Sequence, residues 1–202
     1  MCCILSLVFD VQRFDEVSQN LSNLPEEWKE IDVLVNNAGL ALGREPFDKG
    51  TLQDWETMID TNLKGLLYVT KAVLPYMTAR NRGHIINMGS IAGKEVYENG
   101  NVYCASKFAV DAMSKSLRID LLPHRIKVTA IHPGAAATEF AVVRYKGNTE
   151  KAQQTYDGFT PLSAEDIADI TWYCATLPAH VCINDLIVTC TAQANSVNFY
   201  RE

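Results

Sequence analysis

Short apolar runs alternate with longer helical segments along this chain, and that alternation restricts it to a layered fold built on a parallel sheet. Residues 31–36, 84–88 and 127–132 have the length and apolarity of short strands. Between the last two, Ala105, Phe108, Ala109, Ala112, Met113 and Leu117 recur at helical spacing, which predicts a helix over 102–122 that Pro123 closes. The full expected order is strand 4–9, helix 13–23, strand 31–36, helix 51–79, strand 84–88, helix 102–122 and strand 127–132. A segment of undetermined form then begins at 139, followed by helix 164–176 and strand 185–190. This is an α/β chain with a doubly wound parallel sheet. No internal repeat or low-complexity tract interrupts it, and the polar, turn-rich stretch 142–160 has the character of a lid.

Open parallel sheets place their ligands at the carboxyl ends of their strands, so the residues there carry the functional reading. Strand 31–36 runs into Asn36-Asn37-Ala38-Gly39, whose small residues let a ligand or a helix approach the backbone. Strand 84–88 ends in Gly89-Ser90. The Ser90 hydroxyl is placed either to bond a substrate oxygen or, as a turn serine, to bond its own backbone. In the helix that follows, Tyr103 and Lys107 share one face at i and i+4. A free phenol, with a pKa of roughly 10, is a poor proton shuttle at neutral pH, and a neighbouring ammonium favours the phenolate. Tyr103 is therefore the candidate general acid and base, and Lys107 the group expected to lower its pKa.

Asn62 lies among Met58, Ile59, Leu63, Leu66, Leu67 and Val69, so its amide is expected to be buried and to need partners. Strand 127–132 gives way to Pro133-Gly134-Ala135-Ala136-Ala137-Thr138. Thr138 opens the next helix, either as a plain cap or as a phosphate contact.

The 202 residues, 48% hydrophobic and 21% charged, suffice for one sizeable core. A net charge of −6 without long runs argues against a nucleic-acid or anionic-membrane footprint. Cys2, Cys3, Cys104, Cys174, Cys182 and Cys190 have neither C-x-x-C spacing nor paired histidines, and read as reduced thiols of a cytoplasmic protein with no metal. Residues 1–9 are apolar but lack a basic flank and stop at Asp10, too soon for a secretory core or a membrane span.

Asn-Asn-Ala-Gly after an apolar strand, an Asn in a long helix, Gly-Ser after a strand and then Tyr-x-x-x-Lys together resemble the short-chain dehydrogenase/reductase family, from about Ile4 to the carboxyl terminus. The resemblance implies a Rossmann-like domain over 1–202 in which Ser90, Tyr103 and Lys107 are catalytic and Asn62 holds a proton-relay water. It also implies cofactor contacts from Asp10, Val11, Asn37, Ala38, Gly39, Tyr103, Lys107, Pro133, Gly134 and Thr138. Asp10 would reach the adenine, although a solvated turn carboxylate is the alternative. Helices 51–79 and 102–122 would pair copies into a homodimer or homotetramer.

Residues 36–43, 54–62 and 177–184 look like the family's NADP-dependent 3-hydroxy-acid dehydrogenases, which implies NADP, with NAD left open. The substrate implied is a small serine- or allo-threonine-like acid, or malonic semialdehyde. Its carboxylate would want a cation, for which Arg144 and Lys146 are candidates unless they are solvated loop charges. The family's Thr-Gly-x-x-x-Gly-x-Gly is not found in the sequence. By that comparison the chain starts at the family's third strand, at an internal Met1, lacking the first two strands and their helices. Strand 4–9 is then expected to pair directly with 31–36. A catalytically inactive structural or oligomerisation subunit is the second function the sequence allows.

Overall fold

Four parallel strands in the order β1-β2-β3-β4 form the sheet of the computed structural model, which describes residues 3–202. The suggested internal start at Met1, and Cys2, lie outside the described residues. The strands are β1 (Val33–Asn36), β2 (His84–Met88), β3 (Lys127–Pro133) and β4 (Asp185–Val188). Val33 pairs with His84, His84 with Lys127, and Ala130 with Asp185. Helix α1 (Phe14–Ser22) precedes β1. The β1–β2 crossover contains α2 (Leu52–Ile59) and α3 (Leu66–Thr78); α4 (Asn101–Asp120) joins β2 to β3. Between β3 and β4 lie α5 (Phe140–Arg144), α6 (Thr149–Gln154) and α7 (Ala164–Thr176). None of the described helices is long and apolar enough to cross a membrane.

The apolar pattern explains the two layers. Adjacent residues of a strand point to opposite faces. Ile85 and Val128 accordingly pack with Val17, Leu21, Val73 and Met77 from α1 and α3, whereas Ile86 and Ile131 pack with Cys174 of α7 on the other face. Helix starts follow local chemistry. Thr51 accepts the Asp54 amide at the head of α2, and Ser163 and Asp166 form a reciprocal capping box on α7.

Two expectations need correction, and one segment left open takes a definite form. Residues 4–9 form no strand and do not pair with 31–36. They run extended without a ladder, Ile4 and Val8 being 85% and 95% exposed. A strand is held by hydrogen bonds to a neighbour, and none of the described strands bonds this segment, so only Phe9 is drawn onto the core beneath β1. The single helix expected over 51–79 is divided by a π turn, Asp60–Gly65, between α2 and α3. Its extra residue per turn alters the helical phase at Asn62, and such interruptions are frequent at functional sites. The segment after 139 is neither open loop nor one helix. It forms α5 and α6, joined where Lys146 and Gly147 take left-handed backbone (φ 52° and 89°).

A buried polar chain sets the register near the strand ends. Asn36 Nδ2 donates to Thr70 Oγ1 and to Asn87 Oδ1, both at 2.9 Å; Asn87 Nδ2 donates to Ser114 Oγ at 2.9 Å. This chain ties α3, β1, β2 and α4 together. Asn87→Ala is expected to cost about 2–4 kcal/mol in urea unfolding, since each buried group left without a partner costs roughly 1–3 kcal/mol. A change under about 0.5 kcal/mol, the level of ordinary surface substitutions, would mean the chain does not constrain the fold.

His84, buried with Nε2 2.7 Å from Thr129 Oγ1, is held down to about 4 by desolvation and then by Lys127, from the ordinary 6.5. Its folded pKa is depressed, so its contribution is complete above pH 6.5 and is lost as pH falls through 4. Up to about 3 kcal/mol is at stake. Unfolding measured between pH 7 and pH 4 is expected to show that slope, and His84→Asn to flatten it.

Candidate active site

The site is built where β2 ends against the first two turns of α4. Ser90 follows β2 and caps the short 3₁₀ turn Ile91–Gly93, its Oγ accepting the Ala92 amide at 3.1 Å. The turn-serine expectation is therefore met. The same hydroxyl also faces Tyr103. Tyr103 and Lys107 both lie on the buried face of α4, and Asn62 is buried in the π turn beside it.

Burial dominates the electrostatics. It pushes Tyr103 well above the ordinary phenol range, while the Ser90 hydrogen bond and the Arg144 guanidinium pull the other way. Lys107, one turn along the same face, makes its hydrogen bond elsewhere. Its Nζ reaches across to the sheet and donates to Met88 O at 2.9 Å, and desolvation brings the amine down to about 8. A shared helix face places two side chains side by side but does not decide which partner a four-carbon stem reaches. The cation that faces Tyr103 is Arg144, 5.5 Å above its ring centroid.

Asn62 has the partners its burial demands. Its Oδ1 accepts the Leu40 amide at 2.8 Å, and its Nδ2 donates to Leu40 O at 2.8 Å and to Ser106 Oγ at 3.0 Å. It thereby pins the loop just after Gly39. A Cβ on Gly39 would stand 3.3 Å from both Asn62 Oδ1 and Lys107 Nζ, a tight contact that glycine avoids.

The remaining predicted residues divide. Asn37 and Ala38 are exposed and, with Asn36, Phe9, Val11, Val35, Gly65, Leu66 and Val69, line a cavity of about 150 Å³ along the free side of β1. Asp10 is exposed and its Oδ1 accepts the Gln12 amide at 2.9 Å. Thr138 is also exposed and accepts the Phe140 amide at 3.2 Å. The Asp10 contact is that of a turn carboxylate, whereas Thr138 stands one residue before the N-cap of α5, Glu139, and makes a turn contact instead of capping the helix. Gly134 follows β3 and donates to Val188 O at 2.7 Å, with Gln193 closely packed against it.

Of the two candidate cations, only Arg144 is at the site. Its Nη2 donates to Tyr97 Oη at 2.8 Å, and the guanidinium stacks on both Tyr97 and Tyr103 without a carboxylate partner among the described residues. Lys146 is paired with Asp54 at 2.8 Å. Tyr97 and Phe140, whose ring lies 5.6 Å from that of Tyr103, escaped sequence reasoning because they come from irregular or short segments with no periodicity to reveal them. Arg144, by contrast, was visible beside Lys146 as one of two candidate cations in a lid-like stretch.

Residues 3–148 match the family described as short chain dehydrogenase. The chain is 54% identical over 182 residues to the NADP-dependent 3-hydroxy acid dehydrogenase YdfG of Salmonella typhimurium, covering 90% of this chain and 73% of that protein. It is 39% identical over 199 residues to the NADP-dependent 3-hydroxy acid dehydrogenase of Schizosaccharomyces pombe, covering 98% and 77%. The closed form of a serine dehydrogenase complexed with NADP+ superimposes with a TM-score of 0.91 at 50% identity, over 96% of this chain and 79% of that one.

The burial of Lys107 is directly measurable. Its amine, followed by the carbon chemical shift next to Nζ, is expected to titrate near pH 8, well below the ordinary 10.5. Titration at the ordinary value would show the ammonium to be solvated and the site open to water.

Proposed function

Because the chain belongs to the short-chain dehydrogenase family, we propose that it transfers a hydride between NADP(H) and a small 3-hydroxy acid or its oxo form, with Tyr103 as general acid and base. The observation that carries this reading is the convergence of Ser90 and the unpaired Arg144 guanidinium on one buried phenol. A proton donor beside a cation free for a carboxylate is what a hydroxy-acid oxidoreductase requires.

In this reading Asp10, Val11, Asn37, Ala38 and Gly39 hold the cofactor on one side, with Pro133, Gly134 and Thr138 on the other. NADP supplies the hydride acceptor, and NADPH the donor. Ser90 and Tyr103 hold the substrate oxygen and Arg144 its carboxylate, which orients a 3-hydroxy acid with its hydroxyl toward the phenol. Burial keeps Tyr103 protonated, so it is poised to give its proton to an oxo acid. In the oxidative direction it must accept one, and the Ser90 hydrogen bond and Arg144 assist by favouring phenolate. Lys107, softened by burial to about 8, is suited to pass a proton on near neutral pH. Asn62 would then hold the relay water.

The whole described sheet and its helices are taken as one domain of a cytoplasmic enzyme. Copies would associate through α2, α3 and α4, where Ile59, Phe108 and Ile119 remain exposed.

Calorimetric titration with NADPH, followed by NADP+-dependent oxidation of serine and allo-threonine, tests the proposal. Tyr103→Phe is expected to bind NADPH but to turn over about 10²–10⁴-fold more slowly. A near-normal rate in that variant would remove Tyr103 from its role. A chain that melts cooperatively yet binds no NADPH would instead favour the structural-subunit function.

A further inference from the structure

We propose that His132 is a positioning residue for Ser90, holding the serine's backbone through a buried bridge to a four-residue charged cluster. The proposal rests on the reading that Ser90 contacts substrate, but its geometry does not.

His132 is fully buried on β3, immediately before Pro133. Its Nδ1 lies 3.2 Å from Ser90 O, and its Nε2 lies 3.2 Å from Asp185 Oδ1 and 3.8 Å from Asp111 Oδ1. Every one of these neighbours is an acceptor. A neutral imidazole carries one N–H and can satisfy only one side. The contact to Ser90 is directed as a hydrogen bond, whereas Nε2 has no aligned hydrogen-bond partner among the described residues. The geometry thus selects the Nδ1–H tautomer, with the Nε2 lone pair facing the carboxylates.

What makes that arrangement tolerable is Lys94. Its ammonium donates to Asp111 Oδ1 at 2.8 Å and to Asp185 Oδ2, and Lys115 adds a second cation on Asp111 at 2.7 Å. The ligand atoms of Asp111, His132 and Asp185 lie within 4.8 Å of one another, as a metal site would need, but Lys94 already supplies the cation. Desolvation and Lys94 both disfavour a second proton on the ring, against the pull of Asp185, the Ser90 carbonyl and Asp111.

The ring also has a made-to-measure seat. A Cβ on Gly89 would stand 2.4 Å from His132 Nδ1, so only glycine permits this approach. Ser90 O accepts from the Gly93 amide as well, at 2.8 Å, which uses both lone pairs of that carbonyl. His132 therefore fixes the start of the Ile91–Gly93 turn while Lys94, just past its end, is tied to Asp111 of α4 and Asp185 of β4. The Ser90 hydroxyl departs from the backbone so clamped.

The test uses the intact chain without cofactor. Nitrogen-15 spectra of the imidazole at pH 7.5 are expected to show His132 as the Nδ1–H tautomer; the Nε2–H tautomer or an imidazolium would overturn the proposal. His132→Leu, which removes the donor, is expected to speed exchange of the Gly93 amide about tenfold or more over the amides of β2, and His132→Asn, which keeps a donor, to restore protection. Equal protection in both variants would leave the ring a mere space filler. Should the leucine variant fail to fold, the tautomer measurement on the unaltered protein still decides. If the chain turns over substrate, His132→Leu should lower kcat by about tenfold with little change in cofactor KM. Absence of turnover in the unaltered chain would count against the oxidoreductase reading and leave the tautomer result standing.

Discussion

The structure turns on what α4 presents to the sheet. A helix packed against strands ordinarily buries leucines and valines, but here the inward stripe includes Tyr103, Lys107, Asp111 and Ser114, spaced by three or four residues. Polar groups buried in that way must each find a partner or cost stability. Tyr103 meets Ser90, Lys107 the Met88 carbonyl, Asp111 the ammonium groups of Lys94 and Lys115, and Ser114 the Asn87 amide. Those partners all belong to β2 or the residues just beyond it, apart from Lys115 on α4 itself. The helix, the strand and the turn between them are therefore one polar unit, and the demand for satisfied hydrogen bonds fixes how α4 sits.

The same demand determines the chemistry. Removing water from around a phenol and an amine disfavours the charged form of each, raising the Tyr103 pKa and lowering that of Lys107 to about 8. Other charges stand at the margins of the site. Arg144 approaches from α5 on one side, and the Lys94–Asp111–Asp185 cluster lies behind Ser90 on the other. The cluster is linked to the Ser90 carbonyl through His132. Glycine makes this packing possible beside His132, at Gly89, and avoids a tight contact beside Lys107, at Gly39.

Much of this is legible in the sequence itself. The alternation of apolar runs with helical segments identified β1 to β4 and the principal helices, because burial on both faces of a parallel sheet leaves an unambiguous pattern in residues such as Ile85, Ile86, Val128 and Ile131. Asn62, Ser90, Tyr103 and Lys107 were legible as a group, since their residue types occur in a distinctive order along the chain, Ser90 at a strand end and the others in helical segments. Residues 4–9 misled for an equally physical reason. Their apolar composition is that of a strand, but strand formation depends on a bonded neighbour and is not a property of the segment alone.

Local pattern in the sequence thus determined the α/β class, the family, and which side chains gather at the ends of β1 and β2. Only the tertiary structure decided which atoms those side chains reach. Lys107 binds a carbonyl of the sheet rather than the phenol one turn away, Arg144 becomes the cation over Tyr103, and His132 bridges Ser90 to a carboxylate of β4. Periodicity fixes a direction along one helix or strand. Partners that lie tens of residues apart are chosen by packing and by the need to satisfy buried donors and acceptors, and neither is written in any single stretch of sequence.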